Sequence, residues 1–117
     1  VAATPPVAKQ TSNSLQTEVY FGLGSSSIGN RAALDKAASW LKANADVTAE
    51  IGGHADPTGS PEGNMTLSQA RADGVRDYLV GAGVDASRLH VHAFGDTQLK
   101  YGRDDQRNRR VIVEAKK

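Results

Sequence analysis

The sequence predicts a single α/β domain, an α+β sandwich in which helices pack on one small mixed sheet. Short runs in which apolar and polar residues alternate are typical of strands, and longer runs with apolar residues every three or four positions are typical of helices. The two kinds of run follow one another here in the order β-α-β-α-β-β, which indicates a sheet covered by helices. A length of 117 residues also fits one domain with one core.

The N-terminal part contains a tether, a strand and a helix. Residues 1–16 mix Pro, Ala, Ser and Thr without periodicity, which predicts a flexible tether, although the trimmed end of a longer chain would have the same composition; residues 17–117 form the domain. A first strand is predicted at Thr17–Phe21, before a stretch rich in Gly and Ser. From Asn30 an amphipathic helix is predicted, with Trp40 at the edge of its apolar stripe, which consists of Leu34, Ala37, Ala38 and Leu41.

The middle of the chain contains a strand, a loop and the second helix. Alternating apolar residues from Val47 to Ile51 predict a strand that continues into Gly52-Gly53. Residues 54–63 are too rich in Gly, Pro and polar side chains to be regular. A helix is then predicted to begin near Asn64 and to end at Gly81 or Gly83.

Two more strands complete the predicted sheet. Apolar and polar residues alternate in Leu89–Ala93, and in a last β-prone run Val111 and Val113 alternate with Ile112 and Glu114. Residues 96–107 between them form a polar connection without a regular pattern. The expected core is formed by Leu34, Leu41, Ile51, Val75, Leu79, Val91 and Val111.

Composition excludes several classes of protein. A net charge of +1 argues against wrapping nucleic acid or lying on an anionic membrane, and the basic run Arg107–Arg110 has acids beside it and few aromatics nearby for base stacking. The absence of cysteine removes disulfides, zinc sites built on Cys, thiol nucleophiles and lipid attachment sites. No run approaches the ~18 apolar residues of a membrane helix.

The loop after the second strand carries the most informative charges. Asp56 lies where that strand ends, and Arg71 lies about two turns into the following helix, so the loop can bring the acid and the base together. Asp56 would then accept from an ammonium group and Arg71 would donate to a carboxylate, beside free N–H groups of the helix start at Asn64–Leu67. A structural salt bridge between the two residues would need the same spacing, so spacing alone leaves both interpretations open.

Three blocks of sequence resemble the OmpA C-terminal family, which includes Pal lipoproteins and the flagellar stator protein MotB. They are VYF with the small residues after it (Val19–Gly24), GHADPTG with N and LSQARADGVRDYL after it (Gly53–Leu79), and QRNRRVIV (Gln106–Val113). The resemblance covers the chain from about Glu18 to Glu114. It implies non-covalent binding of peptidoglycan through meso-diaminopimelate, with no enzymatic activity and no cofactor.

The resemblance also implies roles for individual residues. The family's acid, here Asp56, takes the amino group of diaminopimelate, and the family's arginine, here Arg71, takes its carboxylate. Asn64 and Leu67 match positions that line the pocket, although Asn64 also has the side chain of a helix N-cap. The two arginines of the N-R-R block, Arg109 and Arg110, are expected to support the site and the edge of the sheet.

Two departures from the family pattern affect the expected pocket. The residue before the site acid is usually Thr, and here it is Ala55, which removes a hydroxyl group from the ligand site. The first strand usually ends in Phe-Asp-x-Asp, whereas this chain has Phe-Gly-Leu-Gly at Phe21–Gly24. The pocket is therefore expected to be less acidic than is typical.

The resemblance places the chain in the periplasm, attached to the outer membrane through a segment upstream of Val1. A protein–protein module of the same fold, with envelope proteins as partners, is the main alternative to the peptidoglycan anchor. A metal hydrolase would have to use His54-x-Asp56 and His90-x-His92, but no third ligand is evident. His54 is instead expected to be a hydrogen-bonding loop residue.

Overall fold

The computed structural model describes residues 14–29, 31–100, 102 and 105–116. Its elements confirm the predicted order: β1 Ser14–Tyr20, α1 Arg31–Ala43, β2 Ala49–Gly53, α2 Pro61–Gly81, β3 Leu89–Ala93 and β4 Arg110–Lys116. Strand β1 begins three residues earlier than the sequence pattern predicts, and most of the predicted tether, residues 1–13, lies outside the described residues. Two short 3₁₀ helices, Ala86–Arg88 and Gln106–Asn108, were not predicted.

The four strands form one mixed sheet in the order β1-β4-β2-β3. Strand β2 runs parallel to β3 and antiparallel to β4, which is itself antiparallel to β1. A parallel pair needs a long crossover, and α2 supplies it between β2 and β3. The C-terminal ends of β2 and β3 therefore lie side by side, and the loop containing Asp56 begins at the C-terminal end of β2.

Both helices pack on the same face of the sheet, where they build the core. Every residue of the expected core is buried except Val91, which is partly buried and packs against the rest. Trp40 is also part of this core and is 6% exposed. The strand residues that alternate with those of the core point away from the helices. Examples are Glu50, His90 and Glu114, which are exposed on the opposite face of the sheet.

Helix α2 begins at Pro61, three residues before the predicted start. Ser60 is the N-cap, and its side chain accepts a hydrogen bond from the Gly63 N–H at 3.0 Å. Proline suits the first helical position because it lacks the N–H that would otherwise be left free there. Asn64 is thus inside the helix and its N–H donates to the Ser60 carbonyl at 2.9 Å, so the predicted free N–H groups at Asn64–Leu67 were placed wrongly.

Truncation of Leu79 to Ala is expected to lower the free energy of unfolding by about 2 to 5 kcal/mol through loss of burial and formation of a cavity. Leu79 is fully buried beneath the sheet, whereas its neighbour Val80 is 40% exposed. Val80→Ala, measured in the same denaturant titration, should change the stability by less than about 1 kcal/mol. Equal losses in the two variants would contradict this assignment of the core.

Candidate functional site

Asp56 lies in the loop between β2 and α2, and both of its carboxylate oxygens have partners. Oδ2 pairs with Nη1 of Arg109 at 3.0 Å, and Oδ1 accepts from the Thr58 N–H at 3.3 Å. Burial raises the pKa of this carboxyl group, but the hydrogen bonds from Thr58 and Arg109 together outweigh burial and hold the pKa below its ordinary 3.8. Asp56 is therefore a carboxylate at neutral pH.

Arg71 is fully buried in α2 and donates from all three of its side-chain nitrogens to main-chain carbonyls. Nε donates to Ser25 at 2.8 Å, Nη1 to His54 at 3.0 Å and Nη2 to Gly22 at 3.1 Å. Burial lowers the pKa of Arg71 to about 10, with a smaller contribution from the charge of Arg109. The guanidinium stays protonated at neutral pH and ties the loop after β1 to the loop after β2.

Arg109 connects Asp56 to the end of β1. Its Nε donates to the Phe21 carbonyl at 2.9 Å, and its own carbonyl accepts from the Phe21 N–H at 2.8 Å. Arg109 and Asp56 are largely buried but reach the surface, with 15% and 12% of their side chains exposed. The arginine of the last block is thus in direct contact with the site acid.

Arg110, the next residue, lies on the other side of the sheet. Successive residues of a strand point to opposite faces, and Arg110 lines a shallow cleft on the uncovered face together with Glu50, His92 and Phe94. Its side chain donates to the Gln98 carbonyl at 3.3 Å. Arg109 and Arg110, which were expected to act together, are therefore on opposite sides of the sheet.

Three further residues of the sequence prediction lie in this loop or in α2. Asn64 is buried and its Nδ2 donates to Oδ2 of Asp96 at 3.1 Å, while Leu67 is partly buried on α2. Ala55 is 1% exposed, and its N–H donates to the Gly95 carbonyl at 2.8 Å. Asp96, which follows β3, was not predicted as a site residue, because it lies in a polar connection without a regular sequence pattern.

Ser68 was also missed, although it joins α2 to the end of β3. Its hydroxyl donates to the Met65 carbonyl at 2.8 Å and accepts from the Gly95 N–H at 2.9 Å. Ser68 is fully buried. Its place in the L-S-x-x-R block is the only sequence signal that could have identified it.

His54 contributes to the loop through its main chain. Its N–H donates to the Arg110 carbonyl at 2.8 Å and its carbonyl accepts from Arg71, while the ring stacks on Phe94 with centroids 5.0 Å apart. Burial, followed by the positive charge of Arg110, lowers the pKa of His54 to about 4, so the ring is neutral at physiological pH. The hydrogen bonds expected for this residue are thus made by its backbone.

The exposed histidines of β3 have a different environment. His92 pairs with Glu50 at 2.5 Å on the uncovered face of the sheet. Among the residues that the structure describes, no three His, Asp or Glu side chains are grouped so as to hold a metal ion.

Asp56, Arg71 and Arg109 bring one negative and two positive charges together at the end of the sheet. Asp56 and Arg109 are paired, and both Asp56 and Arg109 influence the pKa of Arg71. Such an arrangement can bind a ligand that carries an ammonium and a carboxylate close together. Fold and site together define a small α/β domain with a largely buried cluster of three charged side chains at the end of its sheet.

Comparison with known proteins gives the family. Residues 20–112 match the OmpA family, and the chain belongs to it. The peptidoglycan-associated lipoproteins of Rhizobium meliloti and Haemophilus influenzae are 33% and 36% identical to it over 96% and 81% of this chain. The chain spans 67% and 66% of their lengths.

A solved structure supports the same assignment. The peptidoglycan-associated lipoprotein of Burkholderia pseudomallei has a TM-score of 0.81 and 28% identity over 86% of this chain and 90% of that chain. The mixed α+β fold expected from the sequence is confirmed. No helix among the described residues is long and apolar enough to cross a membrane.

Proposed function

We propose that this domain binds peptidoglycan non-covalently by capturing the free end of meso-diaminopimelate in the stem peptide. The observation that carries the proposal is the cluster of charges formed by Asp56, Arg71 and Arg109, in which Asp56 and Arg109 reach the surface. The free end of diaminopimelate has an ammonium and a carboxylate on the same carbon, and the cluster offers a charged partner to each. The names of the similar lipoproteins, which describe them as peptidoglycan-associated, support peptidoglycan as the binding partner.

Asp56 is the acceptor for the ammonium group. Its pKa lies below the ordinary value, so it keeps the charge that an ammonium needs well into mildly acidic solution. The carboxylate of the ligand would pair with Arg109, and Arg71, which is fully buried with every side-chain nitrogen bonded to a carbonyl, would act on it only through its charge. Asn64 and Leu67 would lie beside this site. Ala55 has no hydroxyl group that could hold the ligand, so the proposed binding depends on the charged side chains of the site.

The binding serves to hold an envelope protein to the cell wall. Because the chain spans about two thirds of the related lipoproteins, the remainder of the protein would supply the attachment to the outer membrane, and the domain would act in the periplasm. No chemical step is needed for this role: the site binds and releases its ligand without forming a covalent bond.

Asp56→Ala is expected to weaken binding by about 1 to 3 kcal/mol, since the ligand ammonium loses its charged acceptor. Co-sedimentation with purified sacculi of the diaminopimelate type measures the effect. Asp73→Ala, which removes a partly exposed acid on α2, is the matched control and should bind like the wild type.

Circular dichroism of the Asp56 variant separates loss of the binding site from loss of the fold. Asp56 lies in a loop, so its variant should keep the near-wild-type far-UV circular dichroism spectrum. Wild-type sedimentation by Asp56→Ala would refute the assignment of this acid. A folded wild-type domain that does not sediment with sacculi would instead favour a protein–protein module of the same fold.

A further inference from the structure

We propose that the face of the sheet opposite the helices is a docking site for an arginine side chain presented by a partner protein. The site is a cleft of about 200 Å³ above Gly52. Its lining includes none of Asp56, Arg71 and Arg109, so it is separate from the charged cluster of the proposed function. The cleft has apolar walls in the middle and acids at one end.

A glycine at the centre of this face produces the cleft. The register of the sheet aligns Gly52 of β2 with Ile112 of β4 on one side and with His92 of β3 on the other. Gly52 has no side chain, so a gap lies between its two larger neighbours. Phe94 borders the gap, since its Cε2 would lie 3.0 Å from a Cβ on Gly52. Ile112 and Phe94 thus offer apolar surface that suits the aliphatic stem of a long side chain.

Two acids lie side by side at one end of this cleft. Glu50 and Glu114 are direct cross-strand neighbours in the antiparallel pair of β2 and β4, and both line the cleft. Like charges in this position destabilise a sheet. Glu50 pairs with His92, whereas Glu114 has no hydrogen-bond or ion-pair partner among the residues that the structure describes. A guanidinium between the two carboxylates would relieve the repulsion, and its planar fork of donors matches carboxylate oxygens.

His54 provides a second polar group in the cleft, independent of the acids. It is 4% exposed, and its Nδ1 is buried without a hydrogen-bond partner among the described residues. Nε2 lies 3.5 Å from where a Cβ on Gly52 would be, so it reaches the cleft. The ring is neutral, since burial lowers the pKa of His54 to about 4, and it does not repel a cation. A polar group of the partner would supply the hydrogen bond that Nε2 lacks.

The spacing along β2 fits one arginine residue of the partner. Glu50, Gly52 and His54 follow one another along the cleft, about 7 Å apart because a strand rises about 3.4 Å per residue. With the guanidinium between Glu50 and Glu114, the stem crosses Gly52 and the partner's main chain lies near Nε2 of His54. Arg110 is buried beside His54 and lowers its pKa through its positive charge. This charge repels a cation from that end and directs the guanidinium to the acids.

The test is an NMR titration of the domain with an acetylated and amidated tripeptide that has arginine between two alanines. This peptide has one positive charge and no carboxylate, and the same peptide with citrulline in place of arginine is the neutral control. The arginine peptide is expected to shift the amide signals of Gly52, His54 and Ile112 saturably. The citrulline peptide should bind about fivefold more weakly, the factor of an exposed ion pair.

Three variants make the result specific. Glu114→Gln removes one charge and should weaken the arginine peptide about threefold while leaving the citrulline peptide unchanged. Gly52→Ala changes no charge but fills the cleft, because its Cβ would meet Phe94 and His54, and should weaken both peptides. Asp77→Asn removes an acid that is 70% exposed on α2, and as the matched control it should bind like the wild type.

Several outcomes would overturn the proposal. They are equal binding of the arginine and citrulline peptides, shifts centred on Asp56 instead of Gly52, and no saturable shift at all. Self-association of the wild type in analytical ultracentrifugation that Glu114→Gln abolishes would also overturn it, since the occupant would then be a second copy of the chain. Glu114→Gln should sediment with sacculi like the wild type, so the sacculus assay tests the proposed function and the titration tests this docking site.

Discussion

Replacement of Arg71 by Ala is expected to lower the free energy of unfolding by about 4 kcal/mol or more, because three main-chain carbonyls lose a charged donor at once. Those carbonyls belong to Gly22, Ser25 and His54, and they lie in the two loops that frame the pocket. Water cannot easily take the place of the guanidinium, since Arg71 has no exposed surface. Denaturant titration followed by circular dichroism measures the loss.

A matched control is available on the same helix. Arg76 lies five residues further along α2, pairs with Asp73 and Asp77, and has 37% of its side chain exposed. Arg76→Ala should change the stability by less than about 1 kcal/mol, as is usual for surface ion pairs. A melting curve of Arg71→Ala that matches the wild type would show that the clamp is not needed to hold the loops.

This clamp gives Arg71 a second task besides the one implied by the family. A buried cation is costly unless it is fully hydrogen-bonded, and here main-chain carbonyls supply the bonds. The turn at Gly22–Ser25 owes its position to that requirement, because two of its carbonyls accept from Arg71. The domain thus uses one guanidinium to hold together the loop after β1 and the loop after β2.

The fold was predictable because its strongest signals are local. Apolar periodicity identified each strand and both long helices, and the order of the elements indicated a mixed sheet covered by helices. The start of α2 was misplaced because Asn64 and Ser60 both have N-cap side chains. Proline after Ser60 decides between them, since it fits the first turn of a helix and no later one.

The site was less predictable because its partners are distant in sequence. The spacing of Asp56 and Arg71 suggested that they face one pocket, but the chain gives no periodic signal for an arginine 53 residues beyond Asp56. Arg109 became a candidate only through the resemblance of its block to the family. Sequence grouped it with Arg110, whereas strand alternation places their side chains on opposite faces of the sheet.

The small residues that position the loop were not recognised as such from the sequence. Gly52 and Gly53 were taken as the end of a strand, with no distinction between them. They lie on opposite faces of β2, and only one of them faces a helix. Because the two glycines have different surroundings, substituting alanine at each of them tests whether the close approach of α2 to β2 is required.

Gly53→Ala is expected to be strongly destabilising, by about 3 kcal/mol or more, at or above the usual upper cost of overpacking. A Cβ at this position would overlap the Ser68 carbonyl oxygen and lie 2.9 Å from the Ser68 carbonyl carbon and 3.1 Å from the Ala72 Cβ. A helix backbone cannot move alone, so α2 would have to shift away from β2 along with Arg71 and the Ser68 hydroxyl. Thermal melts should show the loss, and sacculus binding should fall with it.

Gly52→Ala is the matched control, one residue away on the uncovered face. Its added Cβ would meet Cε2 of Phe94 at 3.0 Å, and Phe94 is a partly exposed ring that can turn aside. Its cost should therefore stay below about 1 kcal/mol, since alanine also suits a strand better than glycine does. If Gly53→Ala were as stable as Gly52→Ala, the close approach of α2 to β2 would not be what holds Arg71 beneath the loop of Asp56.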